Sequence, residues 1–279
     1  MKTVIAFIVD PLLLLGLVIL GIVAGILGAL LGVGGGIIFI PVLTIVYGLT
    51  PLSAAALSLV GIIAISSWGS AIYLNKGVPN IRIGLMLEIG GVTGAIIGAM
   101  VAVYLEDWIL MAVFSVVMIF SAYRMIRNGG SENIPENGDG EFEYNDLKCG
   151  ETVCYDVEHK TGGTIGSMFA GMISSLTGVG GGVIKVPIMN IYMKMPIKAA
   201  AATSSYSLGI TAFSGAVVYL IHGSVPLGMA AFLIIGSVIG AEAGTRISAR
   251  IDASSLKKYF SLLLMASAVL MLLHAGGYV

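Results

Sequence analysis

Residues Gly25 to Pro41 read GILGALLGVGGGIIFIP, and residues Gly171 to Pro187 read GMISSLTGVGGGVIKVP. The two stretches lie 146 residues apart and share the core G-V-G-G-G-x-I-x-x-P. Two further matches follow in the same order. Pro51-Leu-Ser-Ala-Ala-Ala56 parallels Pro196-Ile-Lys-Ala-Ala-Ala201 after a one-residue slip, and Gly90, Gly94 and Gly98 correspond to Gly236, Gly240 and Gly244. One such match arises by chance in a chain rich in glycine and alanine, but three in sequence do not. The chain is a duplication.

Breaks at glycine, proline and charge divide the first copy into apolar segments at Pro11–Leu31, Ile37–Tyr47, Leu52–Leu74, Ile83–Leu105 and Trp108–Ile126. The second copy gives Gly162–Thr177, Val183–Met193, Ala199–Ile221, Leu227–Ile247 and Tyr259–Ala275. The second segment of each copy, at 1.5 Å per residue, spans only about 16 Å, half a bilayer. The expectation is an all-α polytopic membrane protein whose short helices are broken or re-entrant at GVGGG. Five segments per copy is odd, and three remain if the short pair does not cross. Either way the second copy starts from the opposite side, so two inverted-topology repeats are predicted. The predicted divisions are repeat one over 1–128, an acidic linker over 129–161 and repeat two over 162–279.

Composition agrees with a membrane setting. Apolar residues make up 57% of the 279 positions and charged residues only 10%, against about 25% in soluble proteins. Nine acids and two lysines of that small set fall between Asn128 and Thr161. Mean hydropathy is +1.02. A transmembrane β-barrel would alternate over ten-residue strands, whereas these apolar runs are continuous. A net charge of −1 and a pI near 6.3 point to no nucleic-acid partner. Met1-Lys2-Thr3 and the long run after it read as a retained first helix, too long for a signal peptide. Lys76, Arg82, Arg124, Arg127, Lys194, Lys198, Arg246, Arg250, Lys257 and Lys258 fall on one face of this threading, and Lys2 alone on the other. Basic residues favour the cytoplasm, so a cytoplasmic linker and both termini outside are expected. The linker shows no apolar periodicity and is expected to be a mobile extramembrane segment.

Glycine runs permit positive φ and bring bare N–H groups close to a ligand. Ahead of a helix start they suit a small anion, which makes Gly34, Gly35, Gly36, Gly180, Gly181 and Gly182 candidate substrate-binding positions. No Gly-Lys-Ser/Thr follows, so the run is not a nucleotide P-loop. Charges within spans are costly and functional by default. Lys185, three residues after the second GVGGG where the first copy has Phe39, is the leading candidate for an anion-binding cation. Glu242 and Arg246 are spaced to pair along a helix, and Glu88 is a snorkelling or proton-linked acid. The first copy has Ile96 and Met100 at the positions of Glu242 and Arg246, so the site is expected to be asymmetric. Ser204 and Ser205, within Thr203-Ser-Ser-Tyr-Ser207, offer hydroxyls, and Thr44 and Asn190 occupy matching positions on the two short segments. The glycines four apart read as helix-packing faces. Cys149 and Cys154, with His159 nearby, lack a fourth metal ligand and read as incidental thiols. Catalytic triads and metalloprotease motifs are absent, so no enzyme and no cofactor is expected.

The duplicated G-x-G-G-G-x-x-x-x-P, Gly32 to Pro41 and Gly178 to Pro187, resembles the TauE/SafE family of sulfite exporters. The resemblance covers both apolar halves and omits the linker, which is longer than the family's middle loop. It implies a secondary carrier of small sulfur-containing anions, such as sulfite or organosulfonates, in the plasma membrane. Residue and family readings converge on two bundles rocking around a midplane site at both GVGGG breaks, driven by a gradient since no ATP motif is present. Two alternatives stay open: an anion channel, and a proton- or cation-coupled carrier of another small carboxylate or inorganic anion. The sequence leaves the oligomeric state open.

Overall fold

The computed structural model of the protein describes residues 11–127, 140–145, 152–248 and 253–275. The first half forms α1 (Pro11–Leu31), α2 (Gly36–Pro41, continued as a π-helical turn over Val42–Val46), α3 (Pro51–Asn75), α4 (Ile81–Tyr104) and α5 (Asp107–Arg127). The second half forms α6 (Lys160–Thr177), α7 (Gly182–Pro187, continued as a π-helical turn over Ile188–Tyr192), α8 (Ile197–Ile221), α9 (Leu227–Ser248) and α10 (Ala253–Ala275). Two short strands, β1 (Phe142–Asn145) and β2 (Thr152–Tyr155), lie between the halves. The described residues are all-α apart from these. Helices α1, α3, α4, α8 and α9 are long and apolar enough to cross a membrane.

Pro41 and Pro187 explain the π-helical turns. Proline supplies no N–H to the helical ladder, and the backbone after each one widens, with Tyr47 N bonding Val42 O at 3.2 Å and Met193 N bonding Ile188 O at 3.0 Å. Each short helix folds back along the long one before it. The Tyr47 hydroxyl donates to the Leu13 carbonyl at 2.9 Å, and Gly35 packs on Ala24. In the second half Tyr192 stands beside Gly162 and Ile188 beside Gly166. Each pair is therefore a hairpin with GVGGG at its tip.

The two tips meet. A Cβ on Gly36 would overlap the carbonyls of Gly178 and Val179, and one on Gly182 would overlap the Gly32 carbonyl. Residues 32–36 and 178–182 are all buried. Gly34 and Gly180 take the turn at φ 89° and 88°, conformations that other residues rarely adopt.

Packing around the tips repeats at an offset of 146. Val18, Ile22 and Ile26 of α1 lie beside Gly236, Gly240 and Gly244 of α9, while Thr164, Met168 and Met172 of α6 lie beside Gly90, Gly94 and Gly98 of α4. Both glycine faces admit a neighbouring backbone that any side chain would block, as expected of small-residue helix interfaces. The Tyr73 hydroxyl bonds Ala29 O at 3.0 Å, and its counterpart Tyr219 bonds Ser175 O at 2.6 Å. Ser58 Oγ donates to Gly178 O at 2.6 Å, and Ser204 Oγ to Gly32 O at 3.0 Å. Each tip is thus held by a serine of the opposite half. Between them α3 and α8 cross in opposite directions, with Leu59 beside Gly215 and Ser66 beside Ser205 and Gly209.

The linker departs from expectation where the structure describes it. Rather than an aperiodic mobile segment, residues 142–145 and 152–155 form an antiparallel pair with Phe142 opposite Tyr155 and Tyr144 opposite Val153. Alternation in Phe142-Glu-Tyr144 and Val153-Cys-Tyr155 puts the aromatic residues on one face. There Tyr144, Tyr155 and Val157 join Tyr73, Val78, Ile83, Leu87, Met189 and Met193 in a buried cluster. Asn145 N bonds Gly77 O at 3.2 Å and Glu158 N bonds Met193 O at 3.2 Å. The pair therefore clasps the α3–α4 and α7–α8 connections. Cys154 lies on β2, and Cys149 falls outside the described residues.

Candidate functional site

Lys185 is the fourth residue of α7, and its amide bonds the Gly181 carbonyl at 2.7 Å. The tip of the second hairpin therefore sets where its side chain points. That side chain is wholly buried. Its Nζ donates to Glu88 Oε1, to Thr211 Oγ1 at 2.7 Å and to Ser207 Oγ at 3.5 Å. Thr211 donates in turn to Glu88 Oε2 at 2.7 Å, closing a ring of one cation, one carboxylate and one hydroxyl.

Three elements build this ring. Asn80 caps α4 by accepting from Ile83 N at 3.1 Å, which places Glu88 two turns inside the helix, 4% exposed. Ser207 and Thr211 lie four apart on α8 and share a face. Gly91, one turn after Glu88, leaves the space they need, since a Cβ there would stand 2.9 Å from both Lys185 Nζ and Thr211 Oγ1. Lys185 comes from the second half and Glu88 from the first, so the ion pair straddles the two copies. A buried charge without such a partner costs several kcal/mol.

The residues that the sequence marks as candidates divide into groups. Lys185 and Glu88 come together, a pairing that spacing along the chain does not suggest. Glu242 and Arg246 pair with each other elsewhere, Arg246 Nε to Glu242 Oε1 at 2.7 Å, with Trp68 Nε1 donating to Glu242 at 2.6 Å. Arg246 is 77% exposed there. Gly34, Gly35, Gly36, Gly180, Gly181 and Gly182 lie at the buried junction of the tips. Ser204 is engaged with the Gly32 carbonyl, and the Ser205 carbonyl accepts from Ser66. Asn190 spends its side-chain amide on the Met195 carbonyl at 2.8 Å, closing its own connection. Thr44 is buried, with no hydrogen-bond partner for Oγ1 among the described residues.

Thr211, Ser207 and Gly91 belong to the site although sequence reasoning does not single them out. The spacing of Ser204, Ser207 and Thr211, three and four apart, marks one helix face and is the signal that could have found two of them. Outside the spans, Asn80 ties the linker to the helix that carries Glu88. Its Nδ2 donates to the Tyr155 hydroxyl at 2.9 Å, and its backbone N–H to Thr203 Oγ1 at 2.9 Å. Burial pushes the Tyr155 phenol above its ordinary range, against the smaller opposing effect of the Asn80 bond.

Chemically, the centre holds one buried cation paired with an internal carboxylate and flanked by the Thr211 and Ser207 hydroxyls. This is a small, charge-balanced polar centre between the two halves.

Comparison with known proteins gives the setting. The family model described as sulfite exporter TauE/SafE matches residues 17–271. The chain is 28% identical over 247 residues to the probable membrane transporter protein YunE of Bacillus subtilis, covering 86% of this chain and 90% of that one. It is 26% identical over 278 residues to the probable membrane transporter protein MJ0441 of Methanocaldococcus jannaschii, covering 94% and 96%. A probable membrane transporter protein of Xylella fastidiosa is 27% identical over 89% of this chain and 90% of its own length. No solved structure matches the chain. With the helices, the buried polar centre and these relatives in view, the chain is a multi-pass membrane transporter and belongs to the sulfite exporter TauE/SafE family.

Proposed function

We propose that the protein exports small sulfur-containing anions, such as sulfite or organosulfonates, across the plasma membrane. The site is the junction of the two glycine tips with Lys185, and the two halves, 1–128 and 162–279, rock about it as inverted repeats. One observation carries this reading: a wholly buried lysine sits where the two halves meet, facing a carboxylate from the other half. An intramembrane cation is expensive and is kept where it serves a ligand or an ion path.

Other features support it. The hairpins run back along α1 and α6, α3 and α8 cross in opposite directions, and α1 and α9 run alongside each other as α4 and α6 do. That pattern follows if an axis in the membrane plane relates the halves. The first turns of α2 and α7, which by helix geometry carry N–H groups without intrahelical acceptors, lie at the junction of the tips. Lys76, Arg82 and Lys194 gather near the β1–β2 pair, which supports a cytoplasmic linker and outside termini.

Flux into proteoliposomes tests the reading, with sulfite, methanesulfonate and acetate as probes. Both sulfur anions are expected to move and acetate to move far less. Lys185→Ala is expected to cut sulfur-anion flux roughly 10- to 100-fold, the worth of a charge-assisted hydrogen bond. Wild-type flux in that variant removes Lys185 from the site, and equal flux of acetate removes the sulfur preference. A cytoplasm-only reporter fused to the C-terminus is expected to be inactive.

A further inference from the structure

Lys185 has three N–H bonds, and in this conformation they point to Glu88, Thr211 and Ser207. No donor is left over. An arriving anion must take the place of one acceptor, and the Glu88 carboxylate is the acceptor of the same charge. Together Lys185 and Glu88 are neutral. Adding a monovalent anion while Glu88 stays ionised would leave a net negative charge in a dry interior, where water cannot compensate it.

A proton on Glu88 removes that obstacle. From this we infer that Glu88 is the coupling-proton site of the transporter: its carboxylate occupies the substrate's position on Lys185 in the empty carrier, and an anion binds as Glu88 takes up one proton. The proton comes from water and forms an O–H bond at a Glu88 oxygen, and the anion is chemically unchanged. The loaded centre, Lys185 cation, anion and neutral Glu88, carries no net charge. Thr211 serves both states, since its hydroxyl donates to Glu88 in the empty one and is free to turn toward the anion in the loaded one.

The surroundings leave Glu88 without a competing partner among the described residues. Of the elements packed on α4, α7 presents Lys185 and α8 presents Ser207 and Thr211. The charged residue of α8, Lys198, lies in its first turn. Tyr206 of α8 packs on Gly84, one turn before Glu88. Helix α6 contains a single charge, Lys160, which pairs with Glu141 at 2.6 Å.

Anion and proton then move in the same direction. A sulfur anion leaves the cell only while the product of its concentration and that of protons is higher inside than outside. This inference rests on the reading of Lys185 as the anion site, and the experiment separates the two. Methanesulfonate is the probe because it does not titrate near neutral pH. In proteoliposomes with the wild-type protein, a pH difference of one unit is expected to accumulate it about tenfold on the alkaline side. Membrane potential is expected to have little effect.

Glu88→Gln holds the neutral state. Because it also takes the counter-charge from Lys185, its exchange of labelled for unlabelled methanesulfonate at equal pH is expected to fall below wild type while staying above that of protein-free liposomes, and accumulation driven by pH is expected to be lost. Glu88→Asp keeps a titrating group and is expected to restore that accumulation. Accumulation that follows voltage and ignores pH in the wild type overturns the inference and leaves the anion site standing, and so does pH-driven accumulation that survives in Glu88→Gln. No methanesulfonate flux in the wild type overturns both.

Discussion

The polar centre around Lys185 and its counterpart in the other half are built on the same backbone and do opposite things. At an offset of 146, Lys185 corresponds to Phe39, Ser207 to Gly61, Thr211 to Ile65 and Glu88 to Ile234. Phe39 is wholly buried, and its ring fills the space over Gly61 and beside Leu233. Where the second half places an ammonium among hydroxyls and a carboxylate, the first places an aromatic ring on a glycine. The serines that hold the tips, the tyrosines that bond α1 and α6, and the glycine faces are kept in both. The duplicated scaffold is therefore alike on both sides, and the buried ion pair lies on one. A single charged centre avoids the cost of burying a second ion pair.

That contrast can be broken most severely at Lys185. Lys185→Met strands Glu88 as an unpaired buried charge and is expected to cost about 3–5 kcal/mol of stability, read from unfolding in detergent. The double variant Lys185→Met with Glu88→Leu imitates the apolar counterpart and is expected to recover most of that stability without recovering flux. If the double variant stays as unstable as the single one, the ion pair is not the source of the loss.

Next come the shared glycine faces. Gly94→Ala on α4 and Gly240→Ala on α9 each drive a methyl group into a backbone carbonyl, of Met168 and of Ile22. Overpacking of this kind costs about 1–3 kcal/mol. Similar losses of thermal stability are expected in both, because the scaffold is common to the halves. A loss at only one position would show that the halves do not share it.

Ser58→Ala and Ser204→Ala test the tips more gently. Each leaves a buried glycine carbonyl without its serine donor, at about 1–3 kcal/mol, and the two effects are expected to match. A large inequality would break the two-fold correspondence. The smallest effect belongs to Glu242→Gln, whose pair with Arg246 sits at the exposed end of α9. It is expected to leave melting temperature and flux at wild-type values, and a loss of transport there would move the site away from Lys185.

Much of this organisation is legible in the chain. The offset of 146, the breaks at GVGGG and the glycines four apart are local patterns, and each corresponds to a turn or a packing face whose geometry is fixed by residue type. Segment ends follow within a few residues, with α6 and α10 beginning earlier than the apolar run because Lys160 and the Ala253 turn continue the helix in polar sequence. The β1–β2 pair is not legible, because four-residue strands inside an acidic stretch give too short an alternation to stand out. Only their docking on Tyr73 and Met193 makes them stable.

Residue type and spacing alone determined that the chain is a duplicated helical membrane protein with two glycine kinks, because hydropathy and glycine freedom act locally along the backbone. They also singled out Lys185, since a lysine after a glycine run in an apolar segment is costly wherever it points. Tertiary structure decided its partner. Glu88 is 97 residues away in sequence, and no local pattern points from one to the other. The two tips had to meet, and α4 had to lie against α7 and α8, before a carboxylate, an ammonium and a threonine could close one ring.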